Sequence, residues 1–81
     1  GINDVFVIAG LENFPLNNLK IFNRWGAMVY EVENYENNWA GLSINPMNFL
    51  TDQLPTGTYY YILDTYSTKY GVIKGSVYLK R

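Results

Sequence analysis

Two short apolar runs, Leu19–Phe22 and Ala27–Val32, close on Asn23-Arg24-Trp25-Gly26, and few folds accommodate that arrangement. The runs are rich in β-branched and aromatic residues, and the centre carries Asn and Gly. That pattern predicts a β-hairpin with strands near 19–23 and 27–32. Gly26 supplies the positive φ such a turn needs. Trp25 is the unusual residue, because tight turns are normally built from Gly, Pro, Asn, Asp and Ser. Either the turn folds back so that Trp25 lids the core, or the indole faces outward to meet another molecule.

The rest of the chain continues the β pattern. Val5-Phe6-Val7-Ile8-Ala9 reads as a first strand buried on both faces and ended by Gly10. Leu11 to Asn18 is a connector, with Pro15 and the pair Asn17-Asn18 as breakers. Glu33 to Asn38 is polar and turn-prone and delivers Trp39, which is expected to pack over one end of the core. Residues 42–53 lack a period and are predicted as an irregular loop with at most a helical turn. Leu54-Pro55-Thr56-Gly57-Thr58 is a turn that launches the best strand, Tyr59 to Thr65, with Gly57 in a structural role. Tyr59, Tyr61 and Leu63 share its inner face. Tyr60, Ile62 and Asp64 share the outer one, and Tyr78 is placed to pair with Tyr60 across strands. After a second turn at Ser67 to Gly71, Val72 to Arg81 alternates cleanly: Ile73, Val77 and Leu79 in, Lys74, Ser76, Tyr78 and Lys80 out. This last strand is expected at a sheet edge, its lysines deterring indiscriminate pairing. Short strands with turns every 8–12 residues predict an all-β chain. The expected form is a small immunoglobulin-like or fibronectin-like antiparallel β-sandwich of about six to seven strands. In such domains a tyrosine hydroxyl near this position bonds back to the preceding loop.

Composition narrows the function. The 81 residues suit one domain, 1–81, and the 17% aromatic content includes eight Tyr, against 16% charged residues. Net charge is −1 and the six Lys and Arg are scattered, so no basic stripe exists for nucleic acid. No apolar run reaches membrane-spanning length. The absence of His and Cys removes Ser-His and Cys-His nucleophile systems, and the seven acids form no evident catalytic pair, so no enzyme is expected. No cofactor is expected either. Asn3 and Asp4 offer oxygen donors for Ca²⁺, but two ligands cannot hold it without further acids upstream, and Gly1 in place of Met reads as the start of a fragment.

Five motifs in order carry a family resemblance. They are Asn23-Arg24-Trp25-Gly26, then Val29-Tyr30-Glu31, then Tyr35 with Trp39-Ala40-Gly41, then Leu54 to Tyr61, and Gly75-Ser76-Val77-Tyr78-Leu79-Lys80-Arg81 at the end. Gly1-Ile2-Asn3-Asp4 is similar to the tail of the family's opening Pro-Asn-Gly-Asp-Gly-Ile-Asn-Asp. Together they resemble the gliding-motility-associated C-terminal domain of Bacteroidetes, the type B sorting domain of the type IX secretion system. Ala40 stands where that family usually carries Asp, and residues 42–53 run longer than its usual connection. The resemblance implies a C-terminal sorting domain, its opening motif truncated here. It would direct a large surface adhesin or secreted protein, the upstream part of the same chain, through periplasm and outer membrane. The implied partners are the outer-membrane translocon and a porin-like β-barrel helper. Arg24 and Trp25 with Asn23 and Gly26, and the closing Tyr78, Leu79, Lys80 and Arg81, are the expected recognition residues. Trp39, Tyr59 and Tyr61 are expected to be structural. A carbohydrate-binding or spacer module of a surface adhesin is the alternative, since sandwiches with exposed Trp and Tyr hold sugars on aromatic faces.

Overall fold

Leu19 and Ile21 alternate with Lys20 and Phe22, and that alternation sets one strand at the centre of the molecule. The computed structural model describes the backbone of residues 5–45 and 50–80 and the side chains of residues 5–41 and 54–80. Its strands are β1 (Asn18–Phe22), β2 (Met28–Glu33), β3 (Leu42–Asn45), β4 (Leu50–Gln53), β5 (Gly57–Asp64) and β6 (Val72–Leu79). Four form an antiparallel sheet in the order β2-β1-β5-β6, and β3 pairs with β4 in a separate two-stranded ribbon. The fold is all-β and antiparallel.

One face of the large sheet is the core side. Leu19 and Ile21 of β1 and Leu63 of β5 are wholly buried there, with Tyr59 beside them. Chain outside the strands lies over them and contributes Leu11, Phe14, Tyr35 and Trp39. The rings interlock, with Trp39 edge-on to Tyr59 at 6.1 Å and Tyr30 also 6.1 Å from Trp39.

Irregular chain can roof a core only if its backbone polar groups are satisfied, and buried side chains, Asn17 and Tyr35 foremost, do this. Asn17 is wholly buried. Its Oδ1 accepts the Tyr35 N–H at 3.0 Å and its Nδ2 donates to the Phe14 carbonyl at 3.0 Å. Its own backbone is clasped by Asn34, which accepts the Asn17 N–H on Oδ1 at 3.1 Å and donates its N–H to the Asn17 carbonyl at 2.6 Å. The Tyr35 hydroxyl donates to the Phe6 carbonyl at 2.6 Å and accepts the Trp39 N–H at 2.9 Å. Among the described residues no buried side-chain nitrogen or oxygen lacks a partner.

Burial pushes the Tyr35 phenol up from 10.0 to about 12, against the lowering effect of the Trp39 N–H. The folded state therefore keeps a proton that the unfolded chain releases. The resulting stabilisation is intact below pH 10 and is lost as pH rises through about 12. Urea midpoints should accordingly fall across that window, and Tyr35→Phe, already weaker at neutral pH, should show a shallower fall there.

Two expectations need correction. Val5 to Ala9 is not a strand buried on both faces. It is an extended segment with a single bridge between Phe6 and Trp39, leaving Val5 and Val7 exposed. Only Phe6 and Ile8 reach the core, because the segment runs alongside residues 37–39, bridged to Trp39, and does not enter the sheet. Residues 42–53 are not an irregular loop, since β3 and β4 form an antiparallel ribbon with Leu42 opposite Gln53. Polar and turn-prone residues, Ser43, Asn45, Pro46 and Asn48, mask its strand character in the sequence. Residues 46–49, where a helical turn had room, lie outside the described residues.

Gly75 shows a sequence requirement of another kind. It faces Tyr61 in the β5–β6 register, and a Cβ there would lie 2.6 Å from the Tyr61 hydroxyl oxygen and 2.7 Å from its ring carbons. The ring crosses the strand over the bare glycine and packs 5.0 Å from Phe6. Gly75→Ala forces the ring off that seat and should cost about 1–3 kcal/mol in chemical denaturation, as overpacking does. Tyr61→Ala in the same chain should remove the penalty specific to Gly75→Ala.

Candidate partner-recognition surface

The turn at residues 23–27 is built by its own asparagine. Asn23 donates its N–H to the Ala27 carbonyl at 2.9 Å and accepts the Gly26 N–H at 3.0 Å. Its Oδ1 accepts the N–H groups of both Trp25 and Ala27 at 3.0 Å. Gly26 sits at φ 84, where a side chain is strained. Asn23 and Gly26 thus shape the turn, and what the turn displays is Arg24 and Trp25.

Trp25 is 76% exposed, more than any other large apolar residue described. The reading in which the turn folds back to bury it is not what the fold adopts. The Arg24 guanidinium carbon lies 4.2 Å from the centre of the indole, so cation and ring form one stacked unit. At an exposed site such a stack holds by roughly 0.5–1 kcal/mol, enough to bias the rotamers without locking them.

Two grooves flank this unit. One, of about 680 Å³, runs over the outer face of the sheet from Phe22 and Arg24 across Tyr60 and Ile62 to Lys74 and Ser76. The other, of about 380 Å³, lies between Trp25 and the turn containing Pro55 and Thr56. Arg24 borders both. The outer face is exposed because nothing described covers it: Tyr60 is 49% and Tyr78 is 64% exposed. Tyr78 stands opposite Thr58 and Tyr60 opposite Ser76, so the two tyrosines are diagonal neighbours across the strand pair.

Charge on this face is divided. Glu31 lies 3.5 Å from Lys20, and Glu33 accepts the Tyr66 hydroxyl on both carboxylate oxygens at 2.9 and 3.0 Å. That bond, with the surrounding carboxylates, raises the Tyr66 phenol pKa. The acids gather with Asp64 around the β2 side and the Asp64 end of β5. The exposed cations Arg24, Lys74 and Lys80 stand toward the turn and β6.

The other expected site residues fall as follows. Trp39 is 3% exposed and belongs to the core, and Tyr59 is buried with its hydroxyl donating to the Pro55 carbonyl at 2.8 Å. Gly57 opens β5 opposite Leu79, and a Cβ there would meet no atom within 4 Å. Leu79 is half-buried and Lys80 exposed at the end of β6. Arg81, and the calcium candidates Asn3 and Asp4, lie outside the described residues. Among the described residues no three His, Cys, Asp or Glu side chains gather as a metal site would require, and no helix is long and apolar enough to cross a membrane. Asn17, the organiser of the roof, reads in sequence only as a turn breaker. No local signal marks it, because its partners Asn34 and Tyr35 are brought to it only by the fold.

What this β-domain displays to solvent is a cation–indole unit and a bare sheet face. Residues 1–79 match the CHU_C type IX secretion signal domain, and the chain belongs to that family. No curated protein and no solved structure matches it. Membership makes the chain a secretion signal with a sorting role. It implies export to the cell surface or to the medium and interaction with the secretion machinery.

Proposed function

We propose that this domain is the non-catalytic C-terminal sorting module of a large surface or secreted protein, taking the upstream part of its own chain across periplasm and outer membrane. The translocon and a porin-like outer-membrane barrel read it, and recognition centres on Arg24 and Trp25, with Tyr78, Leu79, Lys80 and Arg81 as a second element. The gliding-motility type of cargo, an adhesin above all, suits this reading. The β3–β4 ribbon and the roof over the large sheet then stand as the second layer of an immunoglobulin-like sandwich. The observation that carries the proposal is the 76% exposure of Trp25 in a domain that buries Trp39. A fold gains little from a solvated indole, whereas Trp and Arg are the usual anchors of protein interfaces. Sugar-binding and spacer roles have no comparable support.

The test is a fluorescent protein with a periplasmic export signal, fused ahead of residues 1–81. Fluorescence outside wild-type cells, and retention in a translocon mutant, is the expected result. Equal retention in both strains would refute the sorting role.

A further inference from the structure

Among the described residues β6 pairs only with β5, so it is an edge of the large sheet. Along such an edge every second residue turns its N–H and C=O away from the neighbour, open to another strand. The side chains along it are patterned. Val72, Lys74, Ser76, Tyr78 and Lys80 are exposed on the outer face, while Ile73, Gly75, Val77 and Leu79 are half-buried on the core side. Residues 72–80 contain no Asp or Glu, and the outer residues of β5 opposite them are uncharged until Asp64 is reached opposite Val72. Among the described residues neither Lys74 nor Lys80 has an acidic partner, whereas Lys20 has Glu31 at 3.5 Å. The two lysines are six residues apart on one face, about 20 Å along a strand.

We infer that β6 accepts an extended strand from a partner protein, with apolar side chains laid against Val77 and Leu79 and acidic ones facing Lys74 and Lys80. Backbone hydrogen bonds supply the affinity and the alternate side chains the selectivity, the usual division of labour in strand addition. The open backbone row selects a polypeptide over an anionic lipid surface, which has no strand to pair. The uncompensated lysines select acids over bases, since like charges placed opposite each other across strands are destabilising. The inference deepens the sorting proposal and rests on it for placing that strand in the export machinery.

The probe is a blocked nine-residue peptide alternating Val and Glu, titrated into the 81-residue chain, with a Val/Lys peptide as comparison. Amide NMR shifts and hydrogen exchange should change along β6 and saturate. The Lys peptide should bind at least tenfold more weakly, and N-methylation of alternate peptide amides should abolish binding. Lys74→Glu with Lys80→Glu should invert the preference at unchanged melting temperature. Equal binding of the two peptides, shifts confined to the Arg24-Trp25 turn, displacement by anionic vesicles, or self-association through β6 would each overturn the inference. Export of the unaltered fusion separates the two claims. Failed peptide binding with intact export removes only the acidic strand, and failed export with intact binding removes only the sorting role.

Discussion

Asn17→Ala should cost about 3–5 kcal/mol and lower the thermal midpoint by roughly 12–40 °C, a larger effect than most apolar truncations on the surface of this domain. The side chain is uncharged, and its removal leaves only a small void. It leaves the Tyr35 N–H and the Phe14 carbonyl without the partners that now lie at 3.0 Å. A buried donor or acceptor stripped of its partner costs about 1–3 kcal/mol, and here there are two, plus the void. The damage spreads because Tyr35 in turn holds the Phe6 carbonyl and the Trp39 N–H. A chain of this size is stable by roughly 4–12 kcal/mol in total, so the variant sits close to unfolding at growth temperature. Circular dichroism melts and native-state hydrogen exchange measure this. Exchange should accelerate first at Phe6, Tyr35 and Trp39, ahead of β1 and β5. A midpoint within 3 °C of the parent chain would show that the roof does not depend on Asn17. Asn17→Asp keeps an acceptor for Tyr35 but sets a carboxylate oxygen against the Phe14 carbonyl in a wholly buried site, so at neutral pH it should destabilise at least as much as alanine.

The same residue shows where sequence reasoning stops. The sheet was legible because β1, β2, β5 and β6 carry their own pattern. Alternating side chains such as Tyr59, Tyr61 and Leu63 against Tyr60, Ile62 and Asp64 place a residue in or out whatever the neighbours are. The roof was not legible, because its order comes from contacts between segments far apart in sequence. Asn17 meets Tyr35, and Ile8 donates its N–H to Asn37 at 2.8 Å. No local period announces such bonds. The apolar run Val5 to Ala9 resembles a buried strand, yet it only bridges to Trp39 and leaves Val5 and Val7 exposed, and an apolar run alone does not say how many of its sides will be covered. The β3–β4 ribbon was hidden for the opposite reason, its polar residues suppressing a strand signal that backbone pairing nonetheless satisfies. At the turn, the sequence identified Gly26 and left Trp25 between two fates. Its exposure depends on whether the turn folds back, and Asn23 decides that through backbone bonds reaching only to Ala27.

Trp25→Ala should reduce export of the fusion by roughly thirtyfold or more, the loss of about 2 kcal/mol that an interface anchor carries. The same change should leave the fold nearly untouched. At 76% exposure the indole buries little area, and its main described contact is the stack with Arg24 at 4.2 Å. Surface substitutions of this kind stay within about 0.5 kcal/mol, or roughly 2–4 °C in a domain of this size. The two readouts are therefore expected to separate, and that separation distinguishes recognition from packing. Trp39→Ala supplies the contrast: it empties the core beside Tyr59, costs about 3–5 kcal/mol and lowers export by unfolding the module. Arg24→Lys keeps the charge but loses the planar group that lies over the ring, so it should give an intermediate export defect with a normal melt. Trp25→Phe retains a ring for Arg24 and should recover part of the export that alanine removes. Export of Trp25→Ala at parental levels would take recognition away from the turn and leave β6 as the element through which the machinery reads this domain.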